Sequence, residues 1–391
     1  MKRLMILGAA KAQIPLYEAA KRIGCLTIAA SIPGPYPCFE IADKTCFVDV
    51  RDEDAVVEKA KTMEIDGIAS CALDFALGAL GKTNDALGLC GPSAKACALA
   101  TDKYHMKLAF EKEGVSVARY VVLHSPHETS KAMETLSFPM VSKAVDQCGS
   151  LGIYKCNNEK ELQDYVEKSF SVTRKPYVLV EEFLHGHTFG VEALVQNGNI
   201  VFMMMDNTIN VQAGVETPIG HSIPMDEEGF FKDETRRQVD LCVKALGLDN
   251  CALNFDFMRT QDGIYVLEAT GRAGANGLSE LVSWRYGIDY YEVIVRLALG
   301  EDVTRFFTRQ REGACVYTKI YTMKTGVLKR IHVPQGDLSL CLINAMEGEK
   351  VNGYHDGRDG LGHMMAQGKT LAEAREKIRR TEEKMEIEVE S

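Results

Sequence analysis

No two cysteines in this 391-residue chain stand at C-x-x-C spacing, although twelve are scattered along it. A zinc cluster or a disulfide framework is therefore disfavoured, and reduced thiols in a cytoplasm are the expectation. No run of lysine and arginine reaches the density of a nucleic-acid patch, and the net charge is −10. Nucleic acid and anionic membrane are excluded as general partners. Long hydrophobic runs are missing too. The longest apolar stretches, such as "NIVFMMM", are strand-sized, so no membrane span is expected. The apolar part of "MKRLMILGAAK" is too brief for a signal peptide and reads as a first strand. The turn after it carries Gly8 but lacks the second and third glycines of the dinucleotide fingerprint, which argues against a dehydrogenase. Internal repeats and low-complexity tracts are absent.

What is present has the balance of an ordinary globular chain, with 46% hydrophobic and 26% charged residues. The length predicts two or three domains. Residues 1–100 alternate β-runs such as "RLMILGAA" and "LTIAASI" with helical segments such as "EDAVVEKAKTM". That alternation predicts a parallel sheet covered by helices. From residue 101 the texture becomes mixed. An N-capped helix, "TDKYHMKLAFEKEG", leads into a compact strand–helix module, and a strand-rich part follows. "SELVSWRYGIDYYEVIVRLALG" reads as one long amphipathic helical region, and "NVQAGVETPIGHSIP" as a polar loop. After Arg311 come short strands and a last helix, "TLAEAREKIRRTEEK".

The chemistry concentrates in "NFDFMRTQDGIYVLEATGRAG". Two alternating apolar runs split by "RTQDG" give a hairpin signal. Asp256 and Glu268, twelve residues apart, then come to share one face, with Arg272 just beyond. Magnesium takes one or two carboxylates plus substrate phosphates. Glu268 follows three apolar residues in an otherwise interior strand, and a buried acid needs a partner or a metal, which favours the cation over a solvated surface hairpin. Arg272 beside it suits charge growing on a transferred phosphoryl or an oxyanion. Lys143 lies on the strand "PMVSKAV", and "CGSLGI" behind it has the glycines to fold amides over phosphates, though the same pattern also makes a plain hairpin. Lys103 starts a helix, where a solvated surface lysine is the alternative. "YVLVEEFLHGH" ends a strand in Glu181 and Glu182, which is either a solvent-edge pair or a hinge that meets an adenine edge.

The order of these parts resembles the ATP-grasp superfamily of carboxylate–amine ligases over nearly the whole chain, in the branch of L-amino acid ligases, carbamoyl-phosphate-synthetase-like proteins and biotin carboxylase. The resemblance implies a three-part architecture, α/β and α+β. A parallel α/β domain (1–100) precedes a two-lobed ATP-grasp module (101–310, lid about 115–185), and a small α+β subdomain (311–391) completes the ligase. It implies ATP contacts from Lys103, Lys143, the loop Gly149, Ser150 and Gly152, the hinge Glu181, Glu182, Phe183 and Leu184, and His187. It implies Mg2+ or Mn2+ on Asp256 and Glu268, and a catalytic Arg272. Thr270 stands where the family usually has an asparagine ligand, and Thr188 where a ribose-holding carboxylate is usual. The Gln-Val-Glu-His run of biotin carboxylase is replaced by "AGANGLSEL", which speaks against a biotin role.

The activity so implied is phosphorylation of a small carboxylate, an amino acid among the candidates, to an acyl phosphate that an amine attacks to form an amide. His221 is a candidate for binding the substrate carboxylate or deprotonating the amine, with a plain turn histidine as the alternative; Arg285, Tyr286, Ser279 and Glu280 stay undecided. Carbamoyl-phosphate or carboxylase chemistry and a non-catalytic nucleotide-binding regulator are the rival activities. A cytoplasmic homodimer is the usual arrangement among similar proteins.

Overall fold

The computed structural model describes residues 1–213, 215–355 and 359–390. Near the N-terminus, β1 (Arg3–Leu7), β2 (Leu26–Ser31), β3 (Lys44–Phe47) and β4 (Gly67–Ala69) form a parallel sheet in the order β3-β2-β1-β4. The uninterrupted apolar run "RLMIL" has a physical reason. Leu4 and Ile6 pack into one core and Met5 and Leu7 into another, so both faces of β1 are covered.

A second sheet holds β5 (Tyr120–Leu123), β6 (Met140–Ala144), β7 (Ile153–Cys156) and β8 (Val178–Glu182), antiparallel, in the order β5-β8-β6-β7. Met140, Val178 and Val180 pack against Leu162 and Val166 of the helix Glu159–Val172. Period-two alternation then sends Lys143 to the other face of β6.

The largest sheet has eight strands. They are β9 (His187–Gln196), β10 (Asn199–Ala213), β11 (Val215–Ile223), β12 (Cys251–Arg259), β13 (Ile264–Thr270), β14 (Ala314–Ile320), β16 (Leu338–Ile343) and β18 (Gly362–Gly368), in the order β13-β12-β9-β10-β11-β14-β18-β16. Three strands after Arg311 thus extend the central sheet, while β15 (Gly326–His332), β17 (Lys350–Val351) and β19 (Glu386–Glu390) form a small sheet of their own.

One sequence expectation is corrected and one refined. Residues 210–213 and 215–223 pair as antiparallel strands rather than forming a loop, their alternation hidden by polar residues; residue 214 and the side chains of 212–216 lie outside the described residues. The long helical region is two helices, Leu278–Tyr286 and Tyr290–Ala298. Gly287 ends the first in the left-handed conformation, and the Asp289 carboxylate caps the second by accepting from Glu292 N. No helix among the described residues is long and apolar enough to cross a membrane.

Candidate active site

Strand β12 sorts its residues by alternation. Leu253, Phe255 and Phe257 are fully buried, and the Phe257 ring stacks on Phe189 at 5.1 Å. Asn254 and Asp256 therefore point to the opposite face. The hairpin register sets Asp256 directly against Glu268 of β13. Both line a cleft of about 470 Å³ between the second and central sheets. Asp256 is open to the cleft yet ringed by protein; this enclosure, then the Glu268 charge, pushes its carboxyl up to about 6. Two like charges held face to face are the signature of a site that wants a cation.

Lys103 is placed by its helix. The Asp102 carboxylate caps Lys103–Glu113 by accepting from Tyr104 N and His105 N, and Tyr177 Oη donates to it at 2.6 Å. The first-turn Lys103 side chain is thereby fixed and buried. Its Nζ donates to Glu268 Oε1 at 2.8 Å and to Gln147 O at 2.9 Å. Burial would lower its pKa, but Glu268 and Asp74 outweigh that and hold it above the usual lysine value.

Lys143 crosses the cleft wall to Glu181 Oε2 at 2.9 Å, and Lys107 Nζ lies 3.3 Å from Glu181 Oε1, within ion-pair range but off hydrogen-bond angle. Glu181 is 2% exposed. Burial raises its carboxyl, yet two lysines outweigh this and hold it below the usual range. Lys107 is pushed down by burial, since it shares one acid with a like-charged neighbour. Glu182 lines the cleft, and its carboxylate accepts from Arg119 N and Nε, both at 2.8 Å. Phe183 and Leu184 line the cleft, with Lys155 Nζ 4.0 Å from the Phe183 ring centroid. His187 is exposed at the start of β9, whereas Thr188 lines the cleft and accepts from Asn210 Nδ2 at 2.8 Å. In the glycine loop, Gly149, Ser150 and Gly152 take φ of 64°, 65° and 75°, and Ser150 reaches the cleft.

Arg272 is held by three elements. Its Nη2 donates to Asp74 Oδ2 at 2.8 Å, and its Nη1 to Asn254 Oδ1 at 3.2 Å and Ala273 O at 3.3 Å. Its Nε is buried with no hydrogen-bond partner among the described residues. Burial would lower the guanidinium pKa, but Asp74, Glu192 and Glu268 keep it further above normal. Burial likewise opposes Asp74, and Arg272 overrides it, leaving that carboxyl below its usual value. Thr270, expected as a metal ligand, gives its hydroxyl to Asp74 Oδ1 at 3.0 Å. His221 is 4% exposed, with Nδ1 at 2.6 Å from Asp206 Oδ1.

The donor set fits magnesium. Among the described residues no three His, Cys, Asp or Glu side chains converge as a self-sufficient metal cage. Two hard oxygen acids alone suit a cation that takes its other oxygens from phosphates and water. Sequence reasoning missed Asp74, Lys107, Glu192 and Asp206. Glu192 and Asp206, lone acids inside "FGVEALV" and "VFMMMD", carry the same signal that flagged Glu268. Lys107 follows Lys103 by one helical turn.

A family model, the D-ala D-ala ligase C-terminus, matches residues 109–298. The crystal structure of phosphoribosylglycinamide synthetase from Anaerococcus prevotii is 33% identical, covers 100% of each chain and gives a TM-score of 0.83. L-amino acid ligase from Bacillus licheniformis shares the fold, with a TM-score of 0.85 at 18% identity over 100% of this chain and 99% of that one. An uncharacterised protein of Sinorhizobium fredii, y4rH, is 26% identical over 273 residues, 65% of this chain, and the match spans 54% of that protein's length.

Proposed function

Because this chain belongs to the ATP-grasp superfamily of ligases, we propose that it joins a small carboxylate, an amino acid foremost, to an amine through an acyl phosphate, with ATP converted to ADP and phosphate. The observation that carries this reading is the opposed pair Asp256 and Glu268 on the cleft floor, with the Lys103 ammonium on one of them. Carboxylates do not react with amines at neutral pH, because oxide is a poor leaving group, and phosphorylation supplies a good one.

Magnesium on the two acids supplies the charge neutralisation that a triphosphate needs. Lys103 and Lys143 add point charges along the phosphates. The amides around Ser150 close the cleft and exclude water, which otherwise hydrolyses the acyl phosphate. Arg272 stabilises charge as the phosphoryl group moves. Its buried, unpartnered Nε is a donor with an unmet demand, which an anionic oxygen of the reacting group satisfies. His221 takes the proton that the attacking amine sheds.

A screen of paired carboxylates and amines with ATP tests this, reading nucleotide and phosphate products. ADP plus phosphate, dependent on both partners, is expected. AMP plus pyrophosphate would replace the acyl phosphate with an adenylate. Turnover with bicarbonate and none with amino acids would move the enzyme to carboxylation.

A further inference from the structure

Asp206 and His221 form a buried pair that the nucleotide machinery does not use. Asp206 is fully buried on β10, His221 is 4% exposed on β11, and Oδ1 meets Nδ1 at 2.6 Å. The adjacent strand β9 is shaped for them. Gly190 sits opposite both Asp206 and Asp256 in the sheet, and a Cβ there would collide with the Asp206 carboxylate. The missing side chain lets that carboxylate lie flat over β9, beside the acid pair. Behind it stands Glu192, fully buried on the same face, with Oε1 accepting from Gly274 N at 3.0 Å. Gly274 is two residues past Arg272, so Glu192 ties the arginine loop to the same face of the sheet.

We infer that Asp206 is a positioning residue for amide formation: it fixes His221 through Nδ1–H, which leaves Nε2 with a free lone pair for the amine. This rests on the ligase reading above. In the step concerned, the lone pair of an unprotonated amine forms the N–C bond. The C–O bond to phosphate breaks with its electrons on phosphate, and the proton shed by nitrogen goes to His221 Nε2. A carboxylate on the far nitrogen holds the right tautomer and offsets the imidazolium that forms. The orphaned Asp206 Oδ2 has no hydrogen-bond partner among the described residues, so one oxygen alone does this work.

The test separates acyl-phosphate formation from amine attack. Hydroxylamine is largely unprotonated at neutral pH and traps acyl phosphates as hydroxamates without a base. In Asp206→Asn, amide formation should fall roughly a hundredfold, the usual scale for a lost general base, while hydroxamate formation with the same carboxylate stays within about twofold. The double variant with His221→Gln should be no slower than His221→Gln alone, since the two act as a unit. Equal loss of amide and hydroxamate would make Asp206 merely structural and overturn the assignment. Unchanged amide formation would overturn it as well. Absence of hydroxamate in the unmutated enzyme would instead sink the ligase reading itself. Should Asp206→Asn fail to fold, the 15N shifts of His221 in the native protein decide: Nδ1 protonated and Nε2 bare is expected, and the reverse tautomer refutes the inference.

Discussion

Asp74 and Arg272 join the N-terminal sheet to the ligase cleft, with Arg272 Nη2 donating to Asp74 Oδ2 at 2.8 Å. The second oxygen of Asp74 accepts from Thr270, so one carboxylate from the first hundred residues holds both Thr270 and Arg272. Residues before the cleft-forming sheets thus fix the position of Arg272. Asp74→Asn keeps the shape and removes the charge. A charge-assisted hydrogen bond contributes about 1.5–3 kcal/mol, so kcat should fall about tenfold to a hundredfold. The KM for ATP should hardly change, because Asp74 meets Arg272 rather than the hinge. Steady-state kinetics with both substrates checks this. A rise in KM for ATP with kcat intact would place Asp74 in nucleotide binding instead.

The acid pair sets two like charges against each other in the fold. Asp256 carries a carboxyl raised to about 6 by enclosure and by Glu268. Asp256→Asn removes half of a like-charge pair, so the metal-free protein should melt at a higher temperature than its parent at neutral pH. Magnesium-dependent ATP turnover should drop to background, and the added stabilisation by Mg-ATP should vanish with it. Retained turnover in this variant would show that the cation is held elsewhere.

The hairpin that carries this pair was legible because three signals agreed there: alternation, a turn, and acids in apolar surroundings. "NFDFM" alternates cleanly, and Phe255 and Phe257 indeed go to the core while Asp256 goes to the cleft. Asp74 was invisible for the opposite reason. Its environment is made by Arg272 and Thr270, nearly two hundred residues away in the chain, and "ALDFA" looks like any helix approach. The break at Gly287 was hidden by continuous helical periodicity on both sides. Only the left-handed conformation of Gly287 and the Asp289 side-chain cap divide the two helices.

Glu181 is the anion shared by the buried Lys107 and the half-buried Lys143. Its side chain is 3% exposed and that of Lys107 4%, so neither is screened by water. Glu181→Gln leaves two ammonium groups facing each other with no counter-charge. Removing one partner of a buried pair costs about 3–5 kcal/mol, and a clear loss of melting temperature should follow. Lys107→Met in the same background should restore part of it, by taking away the repulsion and the buried cation together. Thermal melts of the single and double variants decide; if the double variant is the less stable of the two, the shared-anion account is wrong.

His363 offers a pH dependence away from the acid pair. It stands opposite Lys319 across β14 and β18, with the Tyr317 ring at 5.4 Å. Burial first, and the Lys319 charge second, push its pKa from 6.5 down to about 4. The unfolded chain therefore binds a proton between those values when the folded chain does not. Stability from keeping this ring neutral is complete above about 6.5 and is lost as pH falls towards 4. His363→Gln removes the titration, so the drop in melting temperature between pH 7 and pH 5 should be smaller in the variant than in the parent. Nδ1 of His363 has no hydrogen-bond partner among the described residues, so the substitution breaks no bond there and the variant should fold at neutral pH. Parallel pH-dependent slopes for parent and variant would mean that the ring titrates normally and is not walled off from water by Lys319 and Tyr317.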